Sequence, residues 1–203
     1  MKAEAHPRQV VVGITGASGA AYARRLIERL CDAEVNVHLV VSPNGKRLLS
    51  DELGVTDLTA ALAGRDTSRL THHPYRDVGA PLASGSFQTD GMIICPCSTN
   101  TLAAVAAGLG DNLLTRAAAV TLKEGRRLVL VPREMPLSPI DLQNCLRLSQ
   151  AGATICPASP GFYMMPKTID DLVDFVVGKL LDLFHVRHEL NTRWSDELAS
   201  RDL

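Results

Sequence analysis

The chain has 203 residues, a formal net charge of −1 from 21 Lys plus Arg against 22 Asp plus Glu, and 4% aromatic residues. That length suits one domain with a sizeable core, and the balanced, dispersed charge excludes a nucleic-acid protein or a polybasic membrane binder. No apolar run is long enough to span a bilayer, and Met1–Arg8 carries charge but no apolar h-region, so a soluble, cytoplasmic chain without a secretory signal is expected.

In chain order, strand and helix patterns alternate throughout. Gln9–Thr15 reads as a buried strand, Ala20–Leu30 as a helix, Val35–Val41 as a second strand and Lys46–Glu52 as a second helix. Residues 53–81 are irregular and predict a short helix and one strand. Gly91–Cys95 is a further strand, and the helix after it begins at Leu102, beyond a Ser98-Thr-Asn-Thr101 turn. A helix over 113–124, a strand over Leu128–Val131, a helix over Ile140–Ala151 and a strand over Ala153–Cys156 follow. Thr168-Ile-Asp-Asp171 is a capping-box variant opening a long helix to Phe184, with Ile169, Leu172, Val173, Val176, Leu180 and Leu183 on one stripe. Repeated units of this kind predict an α/β fold: a three-layer, doubly wound, Rossmann-like parallel sheet in a single domain over 1–203, its core at about residues 9–184. The charged tail, 185–203, is expected to pack at a subunit interface.

Two strand-to-helix loops are suited to a flavin mononucleotide. Gly13-Ile-Thr-Gly16-Ala-Ser18-Gly19 lets the backbone turn sharply, offers free N–H groups at a helix N-terminus, and adds the Ser18 hydroxyl. The Gly-x-Gly-x-x-Gly spacing of dinucleotide sites is absent, and the second strand ends in Ser42-Pro43 where an NAD site wants Asp or Glu. Asn44-Gly-Lys-Arg47 lacks the earlier Gly and the Ser/Thr of a P-loop. In Cys95-Pro-Cys-Ser-Thr-Asn-Thr101 the hydroxyl and amide side chains can cap the following helix, and they can also hydrogen-bond a planar cofactor or its phosphate.

The five cysteines (Cys31, Cys95, Cys97, Cys145, Cys156) form no Cys-x-x-Cys pair and have no His at metal spacing, so small buried thiols and no metal are expected. The rings of the neighbouring His72 and His73 would point apart. The densest chemical signal lies at 115–134. A helix bearing Arg116 and Lys123 turns at Gly125 into a buried strand that ends in Pro132-Arg133-Glu134. Open α/β sheets place ligands at strand C-termini, so cations converging there beside a carboxylate predict a phosphate that is gripped and released, with an acid to protonate it.

Taken together and in order, Thr15-Gly-Ala-Ser-Gly19, Ala83-Ser-Gly-Ser86, Cys95-Pro-Cys-Ser-Thr99, Arg116-Ala-Ala, Leu122-Lys-Glu124, Leu128-Val-Leu-Val-Pro-Arg-Glu134, Pro136-Leu-Ser138, Pro160-Gly-Phe-Tyr163 and Asp171-Leu-Val-Asp-Phe175 resemble the UbiX-type flavin prenyltransferases of the flavin-containing cysteine decarboxylase superfamily. The resemblance covers the chain from about residue 9 to the Trp194 region. It implies a metal-independent transfer of a dimethylallyl group from dimethylallyl monophosphate to N5 and C6 of reduced FMN. The product is prenylated FMN for UbiD-type decarboxylases, in ubiquinone or aromatic-acid metabolism. It implies FMN contacts at Gly16, Ala17, Ser18, Ser42, Ser98, Thr99, Asn100, Thr101 and Arg133. Ser84, Arg116, Lys123, Glu134, Tyr163 and Lys179 would surround the prenyl phosphate, with Glu52 as an addition. Catalytic roles fall to Ser18, Lys123, Glu134 and Arg116, with Glu134 passing a proton to the leaving phosphate and Ser18 in the relay. Lys179 stands where the family commonly has Arg, keeping the charge but losing the bidentate fork. The family forms dodecamers with sites at subunit junctions, and Trp194 and the tail would then close a neighbour's site. Two alternatives remain. An FMN-dependent cysteine decarboxylase would carry a Met-Asn pair that this chain lacks. A non-catalytic flavin-binding subunit of a decarboxylase would not need the polar set at Ser18, Lys123 and Glu134.

Overall fold

The structure, a computed structural model, describes residues 8–56, 58–62 and 64–190. Strands β1 (Gln9–Ile14), β2 (Asn36–Val41), β3 (Leu70–His73), β4 (Gly91–Cys97), β5 (Arg127–Pro132) and β6 (Thr154–Ile155) form one sheet in the order β3-β2-β1-β4-β5-β6. Every pairing is parallel. All seven residues of β4, and all but the first of β1, are buried, as a parallel sheet covered on both faces requires. Alternation along β1 sends Val10, Val12 and Ile14 into one core and Val11 into the other.

The first core lies under α1 (Ala20–Asp32), α2 (Pro43–Leu53) and α7 (Ile169–Leu183), through Leu26, Ile27, Leu30, Leu49, Val176 and Leu180. The second lies under α4 (Thr99–Ala106), α5 (Leu113–Lys123) and α6 (Pro139–Gln150), through Leu102, Leu113, Ala117 and Leu148. A short helix, α3 (Leu58–Ala61), precedes β3, so the irregular stretch holds the one helix and one strand expected of it. Arg25 of α1 grips Asp174 of α7 with both fork nitrogens, at 2.5 and 2.7 Å, fixing one helix on the other.

Helix starts follow their caps. The Ser42 hydroxyl accepts from the Gly45 N–H at 3.0 Å, and Pro43 sits at the first helical position, so α2 begins three residues before the expected Lys46. Ser98 likewise accepts from the Thr101 N–H at 3.3 Å, which makes the expected turn over Ser98–Thr101 the cap and first turn of α4. The capping box predicted at Thr168 and Asp171 is present, with a second at Ser138 and Asp141. The tail beyond residue 190, including Trp194, lies outside the described residues.

Candidate active site

The strand order reverses between β1 and β4, and a cleft opens at that point on the carboxyl edge of the sheet. Buried Thr15 ties the two strand ends together. Its hydroxyl donates to the Pro96 carbonyl at 2.9 Å and accepts from the Ser98 N–H at 2.7 Å. The glycine before Ala17 is a packing requirement, since a Cβ at Gly16 would stand 2.5 Å from the Asn44 Cβ. The resulting cleft, about 430 Å³, is lined by Gly16, Ala17, Ser42, Pro43, Asn44, Tyr75, Ser98, Thr99, Asn100, Thr101, Arg133 and Glu134. That volume falls in the ordinary range for cofactor sites.

Two helix N-termini, those of α2 and α4, open into this cleft and supply N–H donors and a favourable dipole for an anion. The N-terminus of α1 is already taken. Gly19 has φ 128°, a conformation that favours glycine, and it offers no capping side chain. Glu52 reaches across from α2 instead, accepting from the Ala20 N–H at 2.8 Å and the Gly19 N–H at 3.0 Å, and it is hydrogen-bonded to the Ser18 side chain. Partial burial would raise the Glu52 carboxyl, but the bonds from Ser18, Ala20 and Gly19 and the nearby Arg133 charge outweigh it and hold it below its usual range. Arg133 in turn donates from Nε to the Ser18 carbonyl at 3.1 Å, which anchors its guanidinium at the mouth of the cleft.

Glu52→Ala should therefore cost about 1 kcal/mol near neutral pH, the usual value of a lost helix cap. A carboxyl depressed in the folded state stabilises above its unfolded pKa and ceases to do so as pH falls through its folded value. The gap between wild-type and variant melting temperatures should close as pH falls below the ordinary glutamate value of 4.5. Thermal melts from neutral to strongly acid pH check this, and a pH-independent gap would show that the charge is not what matters.

The expected site residues fall into three groups. Gly16, Ala17, Ser42, Ser98, Thr99, Asn100, Thr101, Arg133 and Glu134 line the cleft, with Ser18 at its rim through Arg133 and Glu52. Ser84, Arg116 and Lys123 form a second group on the α5 side. Arg116 Nε donates to the Ala83 carbonyl at 3.1 Å, Ser84 shares a 2.8 Å hydroxyl bond with Ser86, and exposed Lys123 pairs with Glu124 beside Gly85. Tyr163 and Lys179 form a third. The Tyr163 ring meets Phe175 of α7 edge-on, with centroids 5.6 Å apart, and Lys179 lies near Cys156.

The expected convergence of Lys123 with Arg133 and Glu134 does not occur within one chain. Helix α5 runs antiparallel to the strands, so Lys123 sits where β5 begins and Arg133 where β5 has ended. Six strand residues, about 20 Å, separate those ends, far beyond the reach of a lysine. Ser18 bonds to Glu52, whereas Glu134 accepts from its own neighbour, the Met135 N–H, at 3.1 Å. Pro43, Asn44 and Tyr75 also line the cleft, outside the expected set. The first two directly follow β2, so their place at a strand C-terminus is a sequence signal, whereas Tyr75 follows an edge strand within the irregular stretch and carries none.

The histidines behave as their positions suggest: His73 turns to His38 at 3.1 Å, and His72 turns to Thr59 at 3.3 Å. Cys95 and Cys97 are buried, and burial pushes both thiols well up, keeping them inert, whereas Cys31, Cys145 and Cys156 are only half-buried, so the expected burial holds for two of the five. Among the described residues no group of three or more His, Cys, Asp or Glu could hold a metal ion.

A doubly wound sheet whose switch-point cleft offers helix N-termini and a hydroxyl row, without a dinucleotide motif, defines a mononucleotide-binding α/β class. The family model described as Flavoprotein matches residues 1–181. Flavin prenyltransferase UbiX of Halalkalibacterium halodurans is 51% identical over 191 residues, covering 92% of this chain and 93% of that protein. The crystal structure of AnUbiX (PadA1) in complex with FMN and dimethylallyl pyrophosphate matches with TM-score 0.85 and 42% identity, covering 94% of this chain and 98% of that one. A dodecameric FMN-dependent UbiX-like decarboxylase from Escherichia coli O157:H7 also matches with TM-score 0.85, at 46% identity, covering 92% and 99%. The chain belongs to the Flavoprotein family and, within it, to the UbiX-type flavin prenyltransferases.

Proposed function

We propose that this protein is a flavin prenyltransferase, moving a dimethylallyl group from dimethylallyl monophosphate to N5 and C6 of reduced FMN and so making prenylated FMN for UbiD-type decarboxylases. The observation that carries the reading is the single cleft joining the N-termini of α2 and α4 to Arg133 and Glu134. The residues present fit FMN: two helix N-termini with Ser42 and Ser98 suit one phosphate, and Thr99, Asn100 and Thr101 suit a polar ring edge. When bound and reduced, the flavin supplies the electron-rich edge that accepts the allylic carbon.

The chain's own groups then have separate tasks. Arg133, fixed by the Ser18 carbonyl, orients the ring, and Glu134 gives a proton to the departing phosphate oxygen. Arg116 and Lys123 neutralise the phosphate charge as the allylic C–O bond breaks, which is the main electrostatic demand of that step. Tyr163 and Lys179 add phosphate contacts. Ser18, hydrogen-bonded to Glu52, holds a hydroxyl–carboxylate pair able to take up the proton released on ring closure.

Because Lys123 and Glu134 stand at opposite ends of β5, these tasks require the α5 group of one copy to meet the cleft of another. An assembly of copies, a dodecamer in this reading, would also cover Met135 (88% exposed), Ile140, Leu146, Phe162, Met165 and Ile169, which lie exposed in one chain. No helix among the described residues is long and apolar enough to cross a membrane, and the reading places the enzyme in the cytoplasm. A cysteine decarboxylase is disfavoured by the missing Met-Asn pair.

The test is anaerobic incubation of protein loaded with reduced FMN and dimethylallyl monophosphate, followed by mass spectrometry of the flavin. A gain of one five-carbon unit is expected. Bound flavin of unchanged mass would defeat prenyl transfer, and protein that binds no FMN would defeat the flavin site itself.

A further inference from the structure

The loops entering the cleft follow the strand order, which gives the cleft a direction. Arg133 and Glu134 follow β5, Ser98 follows β4, Gly16 follows β1, Ser42 follows β2 and Tyr75 follows β3. Tyr75 therefore stands at the end farthest from the proposed reacting edge, beyond the N-termini of α2 and α4 that suit a phosphate. It is held firmly there. Its carbonyl accepts from the Leu113 N–H at 2.9 Å, pinning the loop to the start of α5, and its ring packs, partly buried, on the core under α4 and α5.

Tyr75 also lines a second cleft of about 510 Å³ with Val41, Lys46, Leu49, His72 and His73. It is thus common to the borders of two spaces, each of cofactor size. Burial, and then the Asp111 carboxylate, push its phenol above the usual range and keep it neutral.

Resting on the flavin reading of the cleft, we infer that Tyr75 is a specificity-determining residue that ends the site just past the phosphate, so that a flavin mononucleotide fits and a flavin dinucleotide is rejected. Beyond Tyr75 the second cleft would offer a dinucleotide space and the Lys46 cation. The ring closes that path by filling it. Rejection by a filled volume, with no attractive contact needed, is a common route to selectivity.

Flavin fluorescence titrations of the full chain with FMN and with FAD test this. Wild type should bind FAD at least about tenfold more weakly than FMN, and Tyr75→Phe, which keeps the wall and removes only the hydroxyl, should preserve that ratio. Tyr75→Ala should bring FAD affinity within about threefold of FMN, read as the ratio of the two constants in the same variant. Equal wild-type affinities, or a Tyr75→Ala protein that binds FMN and still rejects FAD, overturn the inference. If Tyr75→Ala fails to fold, Tyr75→Leu provides the same comparison with a shorter wall. A wild-type protein that binds neither flavin would instead remove the flavin reading beneath it.

Discussion

Glu134→Gln should leave FMN binding intact and slow prenyl transfer at least about 10²-fold, the usual contribution of a positioned general acid. The side chain lines the cleft but is exposed, and it accepts a hydrogen bond from the Met135 N–H, which a glutamine carbonyl can also accept. Cleft shape and the anchored Arg133 should therefore survive, and only the transferable proton is lost. Flavin fluorescence titration gives the binding half of the result, and single-turnover mass analysis of the flavin gives the rate half. Unchanged turnover would remove Glu134 from the chemistry. A parallel loss of FMN affinity would mean that it holds the flavin and does not act as the acid.

Hybrid assemblies carry the second large effect. Lys123→Ala and Glu134→Gln proteins should each be nearly inactive, yet a mixture allowed to exchange subunits should regain activity. Each site would draw Lys123 from one copy and Glu134 from another, so about a quarter of the sites in a random mixture would hold both native residues. The expectation follows from the sheet: β5 holds the two side chains about 20 Å apart in one chain, and no rotamer bridges that gap. Native mass spectrometry would establish exchange and an activity assay the recovery. Exchanged mixtures no more active than their parents would show that α5 does not serve a neighbouring cleft.

Much of this site is legible along the chain because it is local. Thr15-Gly-Ala-Ser-Gly19 and Ser98-Thr-Asn-Thr101 each follow a buried apolar strand and begin a helix, so their place at a carboxyl edge follows from pattern alone. The caps at Ser42, Ser98 and Thr168 depend on bonds spanning three residues, and they bound their helices where short-range chemistry puts them. Boundaries shifted where a cap and its first turn looked like a loop, as at Ser98–Thr101.

The alternation of strands and helices, the capped loops, the hydroxyl row and the pairing of Arg133 with Glu134 at the end of a strand are all set locally along the chain. Which groups meet depends on how the elements are assembled. Glu52 finds the α1 N-terminus from across 33 residues, Tyr75 arrives from the edge strand to wall the cleft, and Lys123 is carried away from Arg133 although only ten positions separate them. The physical reason is the parallel crossover. Each helix must run back along the sheet before the next strand can begin, so neighbours in sequence are sent to opposite edges and residues far apart in the chain are gathered at one.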